Sequence, residues 1–383
     1  MMNKKRILIF STAYYPFVGG AEVAIKEIVD RLDNYEFEMV TALMDKKLLR
    51  KEQVGRVLVH RIGWGIPKLD KIYLAMCGHC FGLKLHKKNN YHGTWAMMAS
   101  FGGFAALGFK LKTKLPYLLT LQEGDRIEYI LNKVKLVRSR FNKIFTEADG
   151  LQAISTYLLN WGKEMGFKGK VSEIVPNGVD VSKFTKEFST GEVQDMRKSF
   201  GFADDAKIVV TASRLVLKNG TADVIKALKL LPENICFYIC GVGDLETSLK
   251  QLVIDLGLEK RVKFAGYKSH DELPLILKAS DIFIRPSLSE GLGNSFLEAM
   301  ASGLVTIGTE VGGIPDFLHD GVTGLVCLSE NSENIAKVIK KASEMTLDEI
   351  KTMHENSMKV VNEKYNWEYI AGRMNHIFQV LGV

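Results

Sequence analysis

Glu290 and Glu298 stand eight residues apart in the stretch SEGLGNSFLEAMASG, residues 289–303. Gly291 and Gly293 let the backbone after Glu290 turn tightly and come close to a ligand. A helix is predicted to start at Asn294 or Ser295, both good cap residues. Its first N–H groups then face back into the loop, a seat for a phosphate, and the two carboxylates can accept hydrogen bonds from hydroxyls. A sugar nucleotide carries both kinds of group. Read singly, Glu298 is equally a solvated helix carboxylate, and Glu290 a charge favourable to the helix dipole.

Other loops add weight. Arg214 and Lys218 lie in RLVLKNG, just after a predicted strand, Lys207–Ser213. A planar guanidinium and a compact ammonium together would neutralise a diphosphate; alone, each could be a surface charge. Gly241, in GVGD, ends the strand Ile235–Gly241, and VGGIP at 311–315 follows the strand Val305–Glu310. Glycine loops after several strands of one sheet imply a cleft along that sheet's edge, where α/β sheets place ligands. In the first half, Gly19 and Gly20 precede the predicted helix Ala21–Leu32 and form another phosphate-sized approach. Gln122, Glu123 and Asp125 sit at the carboxyl end of the predicted strand Pro116–Gln122. The dinucleotide pattern G-x-G-x-x-G is absent, which disfavours a nicotinamide cofactor.

The elements that would hold these loops alternate strand and helix in both halves, the rhythm of an α/β fold with parallel sheets. Strands are predicted at Lys5–Ser11, Phe37–Leu43, Val57–Ile62, Asp149–Ser155, Ser172–Pro176, Arg261–Gly266 and Asp281–Ser287, and helices at 70–85, 95–110, 156–165, 220–231, 245–256, 272–279 and 295–302. Three further helices end the chain. Asn177–Phe188 reads as a hinge between two domains, and a chain of 383 residues suits two cores better than one.

Composition narrows the class. Apolar residues make up 46% of the chain, too many for disorder. The net charge of +7 is mild, and no nucleic-acid reading module is present. The opening MMNKKRILIFS has too short an apolar run for a signal peptide, and no run reaches a membrane span, so a cytoplasmic protein is expected. Cys77 and Cys80 form a dithiol-like pair inside a predicted helix, without the strand that leads into a redox motif and without a second ligand cluster for zinc. Lysines 110, 112 and 114 and the run Lys133–Lys143 flank Trp95, Met97, Met98 and Phe101, a combination that could rest on anionic lipid or be an ordinary core helix beside a solvated basic one.

Taken together, E-x7-E at Glu290 and Glu298, Arg214 with Lys218, VPNGVD at 175–180, YYPFVGG at 14–20 and DGVTGLV at 320–326 resemble the retaining glycosyltransferases of family 4, over nearly the whole chain. The resemblance implies the GT-B architecture, two facing Rossmann-like domains with an interdomain cleft. It divides the chain into residues 1–180 for the acceptor, 181–363 for the nucleotide sugar, and 364–383 as a helix packing back on the first domain. It assigns Glu298 to the ribose hydroxyls, Arg214 and Lys218 to the diphosphate, and Glu290 to the donor sugar, helped by the backbone of Gly291, Leu292, Gly293 and Asn294. Gly241 lies among the donor-binding loops, and Gly19 and Gly20 would close over the phosphates. The implied reaction is metal-independent hexose transfer with retention, using a nucleoside-diphosphate sugar as substrate and no cofactor. A UDP-sugar is favoured over GDP-mannose.

One departure is visible. Many members carry a histidine where this chain has Gln122, which can donate a hydrogen bond but cannot share a proton as histidine does. Glu123, Asp125 and His92 are the candidates for acceptor binding or proton handling. The expected acceptor is a saccharide or a lipid-linked saccharide, the inner face of the plasma membrane being one place to meet it, and the expected state is a monomer or homodimer. Alternatives are a sugar-nucleotide epimerase or hydrolase of the same architecture, and a catalytically silent sugar-nucleotide binder. A phosphorylase should show a pyridoxal-binding lysine context, and none is recognisable in this sequence.

Overall fold

The computed structural model describes residues 4–383, so the first three residues of the basic opening run lie outside it. The chain divides into two compact units, residues 1–178 with 367–383, and residues 179–366.

The first unit is built on eight strands: β1 (Lys5–Phe10), β2 (Tyr35–Ala42), β3 (Lys51–Val54), β4 (Val57–Ile62), β5 (Gly93–Met97), β6 (Tyr117–Leu121), β7 (Gly150–Ala153) and β8 (Val171–Ile174). Their order is β3-β4-β2-β1-β5-β6-β7-β8, and only β3 runs antiparallel to its neighbour. The two-residue period of β1 sorts its side chains onto two helical layers. Ile7 and Ile9 join the core made with helices Gly20–Arg31 and Trp367–Val380. Leu8 and Phe10 face the other way, where Gly82 lets helix Pro67–Asn89 approach and the Phe10 and Phe109 rings lie 5.7 Å apart. The last helix thus completes a core begun at the amino terminus, with the Tyr35 ring 5.4 Å from that of Phe378.

The second unit holds β9 (Lys207–Ala212), β10 (Ile235–Cys240), β11 (Val262–Gly266), β12 (Ile282–Ile284), β13 (Val305–Gly308) and β14 (Leu325–Val326). Their order is β11-β10-β9-β12-β13-β14, every neighbouring pair parallel. Val209, Phe237, Ile284 and Ile307 form one core with helices Thr221–Leu228 and Ser332–Ser343. On the opposite face the Phe283 ring meets Phe296 of helix Asn294–Ala301 edge-on at 5.3 Å.

Three expectations need correction. Residues 95–110 are not one helix: Gly93–Met97 is β5, and the helix spans Phe101–Thr113. A central strand buried on both faces shows no alternation, so WAM reads like helix core. Trp95 and Met97 are consequently interior residues, 0% and 1% exposed, and cannot rest on lipid. The basic run after Asp125 is also not one helix but Ile127–Lys133, a tight turn at Lys135–Val137, and Arg138–Thr146. Among the described residues no helix is long and apolar enough to cross a membrane.

Candidate active site

Because the second sheet is parallel, the loops after its strands share one edge. Chain order reverses between neighbouring β9 and β12, which opens a crevice where the two following loops part. The loop after β9 carries Arg214 and Lys218; the loop after β12 carries Glu290. Backbone bonds fix their spacing: the Leu288 N–H donates to the Lys218 carbonyl at 2.7 Å, and the buried Asn219 amide donates to the Arg214 carbonyl at 2.7 Å. Arg214 is exposed, and among the described residues no hydrogen bond or ion pair holds its guanidinium. Lys218 is half-buried in the turn Leu217–Asn219. Gly241 follows β10 and runs beside the Ser213 carbonyl, so the β10 loop lies against the β9 loop.

Glu290 does not stand alone. Its Oε2 accepts from Arg285 Nη2 at 2.6 Å, and the Arg285 and Glu290 side chains are 8% and 15% exposed. Arg285 also donates to Ser287 Oγ and Ser295 Oγ, and its guanidinium lies 4.6 Å from the Phe296 ring centroid. One buried cation therefore ties the Glu290 loop to the start of helix Asn294–Ala301. Two glycines make that knot sterically feasible. Gly293, at φ +100°, would put a Cβ 2.9 Å from Arg285 Nη2, and Gly312, at φ +58°, would drive one into the Glu290 carbonyl. Gly291 and Leu292 fill the turn between, and Leu292 is buried.

Glu298, on the same helix, is 5% exposed, and burial raises its carboxyl above the usual range. His270, Arg285 and Lys183 pull in the opposite direction, and His270 Nε2 is 3.5 Å from the carboxylate. Sequence reasoning missed Arg285 and His270. The signal for Arg285 is a charge at the end of the apolar run DIFI; His270 lies between Ser269 and Glu272, which are joined by hydrogen bonds from the Ser269 N–H and hydroxyl to the Glu272 carboxylate.

In the first unit the order reverses between β1 and β5. Thr12, after β1, shares a 3.1 Å hydrogen bond with Ser100, after β5. Gln122 and Glu123 follow β6 at the same edge. The Gln122 carbonyl oxygen accepts from the buried Asn177 amide at 3.1 Å, and Gly20 lies beside that amide. Asp125 is exposed in the same loop. Gly19 is not an open anion seat, because its N–H already donates to Glu22 Oε2 at 2.8 Å. The Ala99 N–H donates to Glu123 Oε1 at 2.6 Å, whereas Glu123 Oε2 is buried without a partner. Burial pushes the Glu123 carboxyl up to about 7. Buried Arg61 donates to the Tyr15 carbonyl at 2.6 Å and so anchors the loop leading to Gly19, a contact with no sequence signal. His92 lies elsewhere. It precedes β5, at the amino edge of the sheet, where its Nδ1 accepts from the Arg6 N–H at 3.0 Å. Strand polarity thus separates His92 from the Gln122–Asp125 loop.

Among the described residues no group of three or more histidines, cysteines or acids is arranged to hold a metal.

Residues 192–360, most of the second unit, match the family described as glycosyl transferases group 1. That match places the family's domain within the second unit. Among curated relatives, the chain is 29% identical over 211 residues to an uncharacterized glycosyltransferase of Methanocaldococcus jannaschii, covering 54% of each chain. It is 31% identical over 257 residues to the GDP-mannose-dependent monoacylated alpha-(1-6)-phosphatidylinositol monomannoside mannosyltransferase of Corynebacterium glutamicum, covering 63% of this chain and 65% of that one. The matches thus span about half to two thirds of these relatives. The architecture extends over the full length. Sucrose-phosphate synthase from Thermosynechococcus elongatus superposes with a TM-score of 0.85 at 19% identity, covering 99% of both chains. The Anabaena protein HepE, solved in complex with UDP-glucose, does so at 0.78 and 19%, covering 98% of this chain and 99% of that one. The fold of the chain is therefore GT-B, with two Rossmann-like sheets.

Proposed function

We propose that this protein is a glycosyltransferase that moves a hexose from a nucleoside-diphosphate sugar to a hydroxyl of a saccharide or lipid-linked saccharide, with retention of anomeric configuration and without a metal ion. The observation that carries the reading is the convergence of the Arg214–Lys218 loop and the Arg285-braced Glu290 loop at the reversal point between β9 and β12. HepE is the precedent for UDP-glucose, and the corynebacterial mannosyltransferase for GDP-mannose.

Arg214 and Lys218 hold the diphosphate, Glu298 accepts hydrogen bonds from the ribose hydroxyls, and Glu290 orients the donor sugar with the amides of residues 291–294. As the bond from the sugar carbon to diphosphate oxygen breaks, the bonding pair stays on the diphosphate and the carbon gains oxocarbenium character. Two preplaced cations stabilise that developing charge, often the largest catalytic contribution. The acceptor oxygen attacks the face the diphosphate leaves, and its proton passes to a phosphate oxygen. Glu290, held by Arg285, is not a covalent nucleophile. Residues 179–366 serve the donor. The first unit serves the acceptor through Gln122, Glu123 and Asp125, and the enzyme works in the cytoplasm.

Thermal shifts with UDP, GDP, ADP and their sugars test the donor assignment, because a ligand that binds only the folded state raises the melting temperature. One nucleotide series should stabilise the wild type, and Arg214→Ala should lose at least tenfold in affinity for it. No response to any nucleotide at millimolar concentration, or full affinity in Arg214→Ala, defeats the reading. With a matched donor, turnover should survive EDTA, and an α-linked donor should give an α-linked product by NMR.

A further inference from the structure

The edge of the first sheet that carries Thr12 and Gln122 also carries an aromatic loop with no part in the chemistry above. β2 runs parallel to β1 and β4 parallel to β2, so residues 43–50 and 63–66 follow strand ends on that edge. In the second of these loops Trp64 is 55% exposed, whereas Trp95, Trp161 and Trp367 are buried. Trp64 is thus the exposed tryptophan among the described residues. The half-buried Tyr73 ring, on helix Pro67–Asn89, lies 4.7 Å from the indole at an angle of 58°.

This loop is held in place. Asp70, 0% exposed, accepts from the N–H groups of Trp64 and Gly65 at 2.7 Å and of Met44 and Ile66 at 3.0 Å. One buried carboxylate pins both loops, so little freedom is left to lose when a ligand stacks on Trp64. The Lys46 side chain lies against Gly65, and Arg50 donates to the Gly63 carbonyl at 3.0 Å, so an exposed cation touches each neighbour of Trp64. Three residues before Trp64, buried Arg61 donates to the carbonyls of Leu49 at 2.9 Å and Tyr15 at 2.6 Å, which braces the aromatic loop against the one leading to Gly19. The strand order β4-β2-β1 sets the two strand ends about 10 Å apart. One sugar ring does not cover that distance; a short saccharide chain does.

A pyranose offers a face of C–H groups to the electron-rich face of an indole. The hydroxyls on its rim accept from donors such as Lys46 and Arg50. A nucleobase also stacks on an indole, but the candidate diphosphate cations, Arg214 and Lys218, belong to the second unit.

We propose that Trp64, held by Asp70 and Tyr73, is the platform on which an outer ring of a saccharide acceptor stacks, with Lys46 and Arg50 on that ring's hydroxyls. This rests on the reading of the first unit as the acceptor's, and adds to it a position away from the accepting hydroxyl. Linked sugars therefore bind more tightly than single ones.

Tryptophan emission of the full chain tests the assignment, because Trp64 is the exposed reporter. Maltotriose, cellotriose, mannotriose and the trimer of N-acetylglucosamine are titrated to millimolar concentration. At least one should shift the emission, with at least fivefold higher affinity than its monosaccharide, and Trp64→Phe should abolish the shift. By saturation-transfer NMR, Trp64→Ala should bind that trisaccharide at least tenfold more weakly, and Trp64→Tyr should recover most of the loss. Lys46→Ala with Arg50→Ala, at two exposed positions, should weaken it at least threefold and keeps the test valid if Trp64→Ala disturbs the fold. An unchanged melting temperature and nucleotide response separate lost stacking from lost structure. No response to any trisaccharide, equal affinity for the monosaccharide, or full affinity in Trp64→Ala overturns the proposal. Without a saccharide response, an emission change with UDP or GDP would make the ring a base platform, and a concentration-dependent dimer lost in Trp64→Ala would make it a protein contact. Saccharide binding needs neither donor nor turnover, so its failure leaves sugar transfer standing, and a silent nucleotide screen leaves the platform standing.

Discussion

Arg285 is the residue on which the second unit's candidate site most depends. Its guanidinium is almost buried, and it satisfies Glu290, Ser287 and Ser295 at once. Removing one partner of a buried pair is costly because the other charge stays desolvated. Arg285→Met should therefore cost about 3 kcal/mol in denaturant unfolding and weaken nucleotide-sugar binding through displacement of the 290–294 loop. Adding Glu290→Gln should recover a large part of the lost stability, because the orphaned charge is gone. A single variant as stable as wild type would show that the ion pair does not brace the loop.

Glu123 makes a different prediction, in pH. Folding raises its carboxyl from 4.5 to about 7, through burial only partly offset by the Ala99 N–H and other backbone donors. The folded state therefore holds this proton more tightly than the unfolded chain. Stability from this group is present in full below about pH 4.5 and is lost as pH rises through 7, by at most about 3 kcal/mol. Glu123→Gln removes the titration while keeping an acceptor for the Ala99 N–H. The melting temperature of the variant minus that of wild type should thus climb by several degrees between pH 5 and pH 8. A difference that stays flat across that range would mean that Glu123 does not titrate there.

At the scale of elements, legibility followed burial. Val57–Ile62 was legible to the residue, and the strands of the second unit to within one or two residues at most ends, because apolar runs between glycine and polar turns admit few other readings. Residues 93–97 were not, since burial on both faces erases the alternation that distinguishes strand from helix. The short antiparallel strand Lys51–Val54 also escaped, its KEQV carrying more charge than β pattern. Helix Thr190–Ser199 buries no residue, so no apolar stripe announced it; its capping box, Ser189 with Glu192, was the available sign. Candidate-site loops were legible through glycines and charges at strand ends. Their bracing was not: Arg61 on Tyr15 and Asn177 on Gln122 are long-range contacts, Arg285 on Glu290 spans five residues of irregular loop, and a single sequence has no periodicity that encodes any of them.

At the scale of the whole molecule, the two units differ in how the chain supplies them. Residues 179–366 form one uninterrupted segment with its own sheet and core. The first unit takes residues 1–178 and then reclaims 367–383, whose Trp367, Ile370, Met374, Ile377 and Phe378 are buried in the same cluster as Ile7, Ile25 and Phe37. Losing one buried Phe or Trp costs about 3–5 kcal/mol, and the whole segment exceeds the 5–15 kcal/mol that holds a typical domain folded. Residues 179–366 expressed alone should therefore melt cooperatively, as calorimetry would show. Residues 1–178 alone should be aggregated or molten, with expanded volume and no near-ultraviolet signal. Joining residues 367–383 to residue 178 through a short flexible linker should restore a cooperative transition. A native-like melt from residues 1–178 alone would mean that the last helix is an accessory to the first core rather than part of it. The same pieces locate the donor site: nucleotide binding that follows residues 179–366 places it on Arg214, Lys218 and Glu298, and binding that follows the repaired first unit would move the donor to the Gly19 loop.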